Sequence, residues 1–327
     1  MTDSHGVVVR VPATSANLGP GFDSLGLALD LYDEVEAAVL GADGALLEDV
    51  RVEVEGEGAD GDELHRGEGH LIVKTMRAAF DRMGVAQPPG IRLRCHNRIP
   101  HARGLGSSSA AICAGILAAR ALAPAVVART AGARDEAEAV RPMPDDEVFA
   151  LATELEGHPD NVAPCLAGGL TIAWTDQSGT ASMVKLSPHD DVRPIALIPG
   201  FRLSTEAARG LLPKDVPHSD AAANAARAAL LVAALTQRPE LGLLLAGTED
   251  RLHQDHRAPA MPGTAELVRS LRAAGVPAVV SGAGPTVLVF VTRDIEDLIA
   301  PKVGSDWHIQ PMNVDPRGAY VRFPETR

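Results

Sequence analysis

Hydrophobic and polar residues recur along this chain with both the two-residue period of strands and the 3.6-residue period of helices. Up to residue 180, the pattern predicts strands at 7–11 (ending at Pro12), 29–40, 51–54, 91–96 and 170–174 and helices at 70–80, 108–129 and 145–156. Beyond it, the pattern predicts a strand at 194–198, a helix capped by Ser204, helices at 221–234 and 264–274, and a strand, glycine turn and strand over 276–290. Helices and strands are therefore expected throughout.

The length and the charge limit the class of protein. A chain of 327 residues is long enough for one large domain or two ordinary ones. The polar turn from Asp176 to Thr180 favours a division into domains 1–176 and 177–327. The formal net charge of −13, with no compensating basic block, argues against a nucleic-acid partner. Small nucleotides are not excluded, because local N–H groups and a few cations bind phosphate even in an acidic protein.

Cysteine usage and the N-terminus bear on the compartment. Cys95, Cys113 and Cys165 are too few and too scattered for a metal cage or a disulfide framework. Residues 1–5 lack the basic and apolar segments of a signal peptide. We also expect no apolar run that approaches the roughly 20 residues needed to span a bilayer. These features predict a cytoplasmic protein without a membrane partner.

Candidate chemistry centres on residues 100–111. Pro100 ends the preceding strand, Gly104 and Gly106 bracket one apolar residue, and three serines stand in the capping region of a helix. Such a loop and helix start suit a phosphate chain, because the first N–H groups of a helix lack internal partners. The Lys-Ser of a Walker loop and the third glycine of a dinucleotide loop are both missing. A capped helix after a tight turn is the alternative interpretation.

Three other segments have candidate functions, each with an ordinary alternative. Residues 13–27 combine glycines with short polar side chains and suit a small polar ligand or a surface loop. Residues 156–161 crowd Glu, His, Asp and Asn at a helix end, where they suit a magnesium ion, a substrate hydroxyl or a simple turn. Residues 282–285 form a glycine turn that suits a hairpin or close approach to a ligand loop.

Together these segments resemble the motifs of the kinases named after galactose, homoserine, mevalonate and phosphomevalonate, the GHMP kinase family. Residues 100–110 match its second motif, Pro-x-x-x-Gly-Leu-Gly-Ser-Ser-x-Ala, without a gap. Residues 14–23 resemble the first motif of the family's homoserine kinase branch, and 158–169, 203–209 and 281–285 resemble that branch as well. The five segments span nearly the whole chain in the right order.

The resemblance implies a two-lobed α+β fold with an N-terminal nucleotide-binding lobe and a ferredoxin-like C-terminal lobe, and it allows the last strand to return to the first lobe. It implies ATP-dependent phosphorylation of the side-chain hydroxyl of L-homoserine, a step of threonine biosynthesis, with Mg²⁺ as the metal. ATP and L-homoserine would then be the partners, and a homodimer is allowed.

The resemblance also implies a role for each matched residue. The triphosphate would lie on the loop of Pro100, Arg103, Gly104, Leu105, Gly106, Ser107, Ser108 and Ser109. Ser108 and Glu156 would hold Mg²⁺. The substrate would lie among Asn17, Asp23, His158 and Asp160, with Arg209 and Arg257 on its carboxylate and with Asn17, Asp160 and Thr205 near the reacting groups. This set is chemically reasonable, because a zwitterion needs anions for its ammonium and an arginine fork for its carboxylate.

Three features depart from the family pattern: a short connection from Glu156 to Asp160, His70 where Asn is common, and Ser109 where Ala is common. Two other functions stay open. One is a related kinase that acts on mevalonate or shikimate, and the other is a nucleotide-binding regulator without activity on the same fold. The intact Ser108, Glu156 and Asp160 argue against the regulator.

Overall fold

The computed structural model describes residues 6–41, 43–60, 66–130, 143–292 and 299–323, which form two lobes around two β-sheets. The first lobe contains strands β1 (Val7–Ala16), β2 (Leu25–Ala38), β3 (Val50–Gly56), β4 (Ile91–Asn97), β5 (Leu170–Thr175) and β6 (Ala181–Leu186) and helices α1 (Leu71–Met83), α2 (Ser107–Thr130), α3 (Asp145–Glu156) and α4 (Val162–Ala167). The second contains strands β7 (Arg193–Pro199), β8 (Ala278–Val280), β9 (Val287–Val291) and β10 (Trp307–Pro311) and helices α5 (Thr205–Arg209), α6 (His218–Thr236), α7 (Leu241–Gly247), α8 (Gln254–Arg257) and α9 (Pro262–Ala273). A last strand, β11 (Tyr320–Arg322), follows.

The first sheet is organised around the long strand β2. Strand β1 pairs with β2 along its length, while β4 and β5 pair with its C-terminal and N-terminal parts, and β3 and β6 extend the sheet beyond them. The expected end of the first strand at Pro12 is wrong. A register shift between Pro12 and Ala13 carries β1 on to Ala16, and a bulge of this kind accommodates a residue without an N–H donor.

The ends of the first sheet decide where the lobes divide. The expected boundary at residue 176 falls in the turn that joins the antiparallel strands β5 and β6, so a division there separates paired strands. The first sheet instead continues to Leu186, and β11 pairs with β1, with Val9 opposite Val321. The first lobe therefore includes the end of the described chain.

The second sheet has the strand order β10-β7-β9-β8, and every pair is antiparallel. This order confirms the expected ferredoxin-like lobe. Both faces of β7, β8 and β9 are buried, and alternate residues of each strand point to opposite sides of the sheet. Leu197 and Val289 pack with Leu271 of α9, whereas Ala196 and Leu288 belong to the main core that fills the first lobe.

Helix α2 lies at the centre of the first lobe. Its small and apolar residues are buried from Ser109 to Val126 almost without interruption. The expectation that no run is long and apolar enough to span a bilayer is wrong for this helix, which satisfies both criteria. Because 67% of its most apolar stretch is buried against the rest of the protein, α2 is accounted for as a core helix.

Candidate active site

The three glycine-rich segments meet where the two lobes join. The N–H of Thr14 donates to Leu105 O (3.1 Å), and the hydroxyl of Ser281 donates to Gly104 O (2.6 Å). Gly104 has φ +76°, and a Cβ there would lie 2.3 Å from Ser281 O. Only glycine allows this close approach. The turn at 282–285 therefore fits both interpretations made from the sequence, since it joins the antiparallel strands β8 and β9 and lies against the glycine loop.

A cleft of about 240 Å³ opens between the lobes at this junction. It brings together most of the residues that the family motifs single out. The predicted site residues that line it are Asn17, Gly104, Gly106, Ser107, Ser108, Glu156, His158, Asp160, Thr205, Arg209 and Arg257. The glycine loop and the cluster of charged residues thus share one cavity.

Five predicted residues do not line this cleft: Pro100, Arg103, Leu105, Ser109 and Asp23. The Leu105 side chain is fully buried in the core. The guanidinium of Arg103 points to the other lobe and donates to Pro199 O and Gly200 O, both at 3.0 Å. Asp23 pairs with Arg209 (2.6 Å). Its carboxylate therefore neutralises a cleft arginine, and a contact between Asp23 and the substrate stays a prediction.

The start of α2 forms one end of the cleft. The helix begins at Ser107, preceded by Gly106 with φ +72°. The N–H groups of the first helical turn have no partner within the helix, so they favour an anion at this end. Ser107 and Ser108 also line a neighbouring cavity of about 210 Å³, whose other walls include Val11, His70 and Leu71. This cavity was not predicted from the sequence. The departure from the family pattern at His70 was the one feature of the sequence that pointed to this region.

Glu156 links the start of α2 to the end of α3. Ser108 Oγ donates to Glu156 Oε2 (2.8 Å), and Ser109 Oγ donates to Glu156 Oε1 (2.9 Å). Gly157, in the left-handed conformation, ends α3 directly after this carboxylate. Among the residues that the structure describes, no group of three His, Cys, Asp or Glu side chains could hold a metal ion. Ser108 and Glu156 therefore offer oxygen ligands for only one side of a hard cation.

A buried acid lies on the other side of the cleft. Asp160 is 1% exposed, and its Oδ1 lies 2.7 Å from His158 Nδ1. Burial opposes protonation of His158, but the hydrogen bond and charge of Asp160, with Glu156 beside them, raise its pKa overall. Next to this pair, Thr14 Oγ1 donates to Asn161 Oδ1 (2.8 Å). Both residues lie in candidate segments, but their contact was not predicted from the sequence, because it joins segments 147 residues apart.

Asn17 has a left-handed backbone conformation and a side chain that is hydrogen-bonded within the protein. Its φ is +67°, and its amide is engaged on both sides: Nδ2 donates to Gly282 O (2.9 Å) and Oδ1 accepts from the N–H of Asp23 (2.9 Å). Asn is one of the few residues that adopts this backbone region readily. Asn17 therefore shapes the loop as well as lining the cleft.

Two arginines supply positive charge to the same cavity. Arg209 is paired with Asp23, and its Nε is buried without a hydrogen-bond partner. Arg257 is 1% exposed, and burial, with the nearby charge of Arg209, lowers its pKa. Within the described part of the chain, no carboxylate forms an ion pair with Arg257. A buried guanidinium without a carboxylate in direct contact favours an anionic ligand, although Asp23, Asp160 and Asp250 act on its charge from a distance.

A glycine loop that ends in a helix start, facing buried charges across an interlobe cleft, is the arrangement of a small-molecule kinase of the GHMP class. The GHMP kinase N-terminal domain matches residues 70–169 and the GHMP kinase C-terminal domain matches residues 220–309. The homoserine kinase of Streptomyces coelicolor is 53% identical and covers 96% of this chain and 94% of its own. That of Clavibacter michiganensis is 50% identical and covers 97% and 94%. The chain belongs to the homoserine kinase family of GHMP kinases.

A comparison with solved structures supports the same family. The homoserine kinase from Cytophaga hutchinsonii aligns over 98% of both chains, with a TM-score of 0.75 and 26% identity. The mevalonate kinase of L. major aligns over 94% of this chain and 96% of its own with a TM-score of 0.66, but it is only 14% identical. The second likeness shows a shared fold alone.

Proposed function

We propose that this chain transfers the terminal phosphoryl group of ATP to the side-chain hydroxyl of L-homoserine, giving O-phospho-L-homoserine for threonine biosynthesis. The observation that carries the proposal is the single cleft in which Gly104–Ser108 face Asp160, Arg209 and Arg257. The first group suits a triphosphate, and the second suits an amino acid. Mevalonate and shikimate also have a carboxylate and a hydroxyl, but they have no ammonium group for which a buried Asp160 would be needed.

Each end of the substrate then has a partner. Arg257 and Arg209 bind the carboxylate, Asp160 and Asn17 meet the ammonium or the hydroxyl, and His158 holds Asp160 in place. Thr205, the first residue of α5, lies near the transferred phosphoryl group. No dedicated base is assigned, because phosphoryl transfer depends mainly on alignment and charge neutralisation.

The cation expected with ATP is Mg²⁺, and the residues present fit it. Ser108 and Glu156 offer a hydroxyl and a carboxylate oxygen, the hard ligands that Mg²⁺ prefers, and phosphate oxygens and water would complete its shell. When bound, the ion would supply positive charge at the phosphates. The adjacent cavity lined by Val11, His70 and Leu71 would take the adenine base.

The test is a substrate panel. The purified protein is given Mg-ATP with L-homoserine, mevalonate or shikimate, ADP release is followed, and the product is identified by ³¹P NMR. We expect turnover with L-homoserine alone, giving a phosphomonoester on the side-chain oxygen. Turnover with another acceptor would indicate a kinase of different specificity. If none of the three acceptors led to ADP release, the regulator without activity would be favoured. A cytoplasmic location, with all three cysteines free and buried, and a homodimer both stay predictions.

A further inference from the structure

The orientation of Arg257 is fixed by a residue outside the cleft lining, His253. Arg257 Nη1 lies 3.2 Å from His253 Nδ1 and 3.2 Å from Gly282 O. Both hydrogens of Nη1 are therefore used inside the protein. Among the described residues no hydrogen bond uses the other terminal nitrogen, and Arg257 lines the cleft. The side chain is thus anchored at one nitrogen and offers its remaining donors to a ligand.

His253 is itself completely buried and held on its other side. Its Nε2 lies 2.8 Å from Gly19 O, and its ring lies 5.2 Å from the ring of Phe22. A guanidinium only donates hydrogen bonds, so His253 Nδ1 must accept, and the ring proton must then lie on Nε2 and be donated to Gly19 O. Burial lowers the pKa of His253, which favours this neutral form, although Asp250 lies 3.7 Å from Nε2.

These contacts join two parts of the candidate site. Gly19 belongs to the loop that carries Asn17 and Asp23 in the first lobe, whereas Arg257 lies at the end of α8 in the second. Arg257 follows His253 by four residues, so the two side chains share one face of this turn. The neutral imidazole is the bridge between the loop and the guanidinium.

We propose that His253 is a positioning residue: as the neutral Nε2–H tautomer its Nδ1 aims the Arg257 guanidinium at the carboxylate of the substrate, while the bond from Nε2 to Gly19 O has only a structural role. This inference rests on the proposed function, because it takes the anion at Arg257 to be the substrate carboxylate. His253 touches neither substrate nor nucleotide in this account. Its effect should therefore appear in the binding of L-homoserine and not in the binding of ATP.

Two substitutions separate the two bonds of the ring. In His253→Asn the side-chain oxygen stands at the distance of Nδ1 from the backbone and still accepts from Arg257, but the bond to Gly19 is lost. In His253→Gln the amide nitrogen stands at the distance of Nε2 and still donates to Gly19, but the acceptor for Arg257 is lost. Each variant loses one buried hydrogen bond, so they are matched in structural cost.

We expect His253→Gln to weaken L-homoserine binding by about tenfold, whereas His253→Asn stays within about threefold of the wild type. Binding is measured by calorimetry in the presence of a non-hydrolysable ATP analogue and Mg²⁺, and the affinity for the analogue should be unchanged in both variants. A purely structural role predicts equal losses in the two variants. Equal losses, or a larger loss in the Asn variant, would overturn the proposal.

The tautomer can be tested in the unmodified protein, which keeps the proposal falsifiable if either variant does not fold. With ¹⁵N-labelled histidine, the ring of His253 should show a protonated Nε2 and an unprotonated Nδ1 in long-range ¹H–¹⁵N spectra. A protonated Nδ1 would exclude an acceptor for Arg257. Turnover of L-homoserine by the wild type, measured separately, distinguishes failure of this inference from failure of the proposed function.

Discussion

At the scale of single residues, the contact of Glu156 with the hydroxyls of Ser108 and Ser109 makes it the strongest metal-ligand candidate. We predict that Glu156→Gln lowers kcat/KM by about 10- to 100-fold and raises the Mg²⁺ concentration needed for half-maximal rate, because an amide is a weaker cation ligand than a carboxylate. The measurement is ADP release over a Mg²⁺ titration.

The matched control for that variant is Glu154→Gln in the same helix. Glu154 is exposed and pairs with Arg82 (2.5 Å), away from the cleft. An ion pair of this kind contributes little to stability. We expect wild-type turnover from the control. A Glu156→Gln enzyme with an unaltered Mg²⁺ dependence would remove Glu156 from the metal site.

A second residue-scale prediction concerns Asp33, whose Oδ1 accepts from the N–H groups of Arg98 and Ile99. Burial raises the pKa of Asp33 to about 6 from 3.8, although the bonds from Ile99 and Arg98 lower it. A raised folded-state pKa means that this group's contribution to stability is fully present below pH 3.8 and is lost as the pH rises through about 6.

Asn at position 33 keeps an oxygen acceptor for both N–H groups and removes the titration. The stability of Asp33→Asn relative to the wild type should therefore rise by about 3 kcal/mol between the acidic and neutral limits of this window. Urea unfolding of both proteins across the pH range measures the difference. A difference that does not change with pH would contradict the assignment.

At the scale of elements, the start of α2 depends on the left-handed Gly106. A Cβ at this position would lie 2.0 Å from Thr14 Oγ1, in addition to the cost of φ +72° for a residue with a side chain. We predict that Gly106→Ala loses both stability and ATP affinity, since the first turn of α2 must shift away from the loop. Denaturant unfolding and calorimetric ATP binding are the measurements.

Gly84 at the end of α1 is the matched control. It has a similar φ of +67°, but an added Cβ would have no neighbour within 4 Å. Gly84→Ala should therefore cost about 1 kcal/mol and leave ATP binding unchanged. If Gly106→Ala bound ATP as well as this control does, the start of α2 would not be the phosphate site.

Elements with local signals were predictable from the sequence. Helix α3 begins and ends where the acids at 145–147 and Gly157 indicate, and Ser204 caps α5 by accepting from the N–H of Ala207. The glycine loop was also predictable, because the residues of its motif are contiguous in the sequence. Signals of this kind depend on neighbours in the chain, which the sequence lists directly.

The elements that were missed depend on partners distant in the chain. Pro12 indicates the end of a strand, but β1 continues beyond it, because it pairs with β2 on both sides of a bulge. The turn at Asp176–Thr180 has the composition of a linker, but it joins two paired strands. His253 has no motif of its own, and its role follows from contacts with Gly19 and Arg257 in the folded chain.

At the scale of the whole molecule, the lobes share one main core. Ile198 and Phe290 of the second sheet belong to the same buried cluster as Val9 and Leu117 of the first lobe, and β11 returns to β1 across the junction. Because burial of apolar surface is the dominant favourable term in folding, a shared core should couple the lobes. We therefore predict a single cooperative unfolding transition.

The two tryptophans provide the measurement, because Trp174 lies on β5 in the first lobe and Trp307 on β10 in the second. Trp174→Phe and Trp307→Phe each leave one fluorophore. Their urea transitions should coincide with each other and with circular dichroism after correction for any change in stability. Separate midpoints would show that the lobes unfold independently.

The central claim is that one interlobe cleft holds a triphosphate and an amino alcohol side by side. The most direct measurement is a crystal structure with a non-hydrolysable ATP analogue, Mg²⁺ and L-homoserine. We predict the phosphates along Gly104–Ser108, the amino-acid carboxylate at Arg209 and Arg257, and the side-chain hydroxyl aimed at the terminal phosphate. L-homoserine bound elsewhere, or phosphates away from the start of α2, would contradict the account.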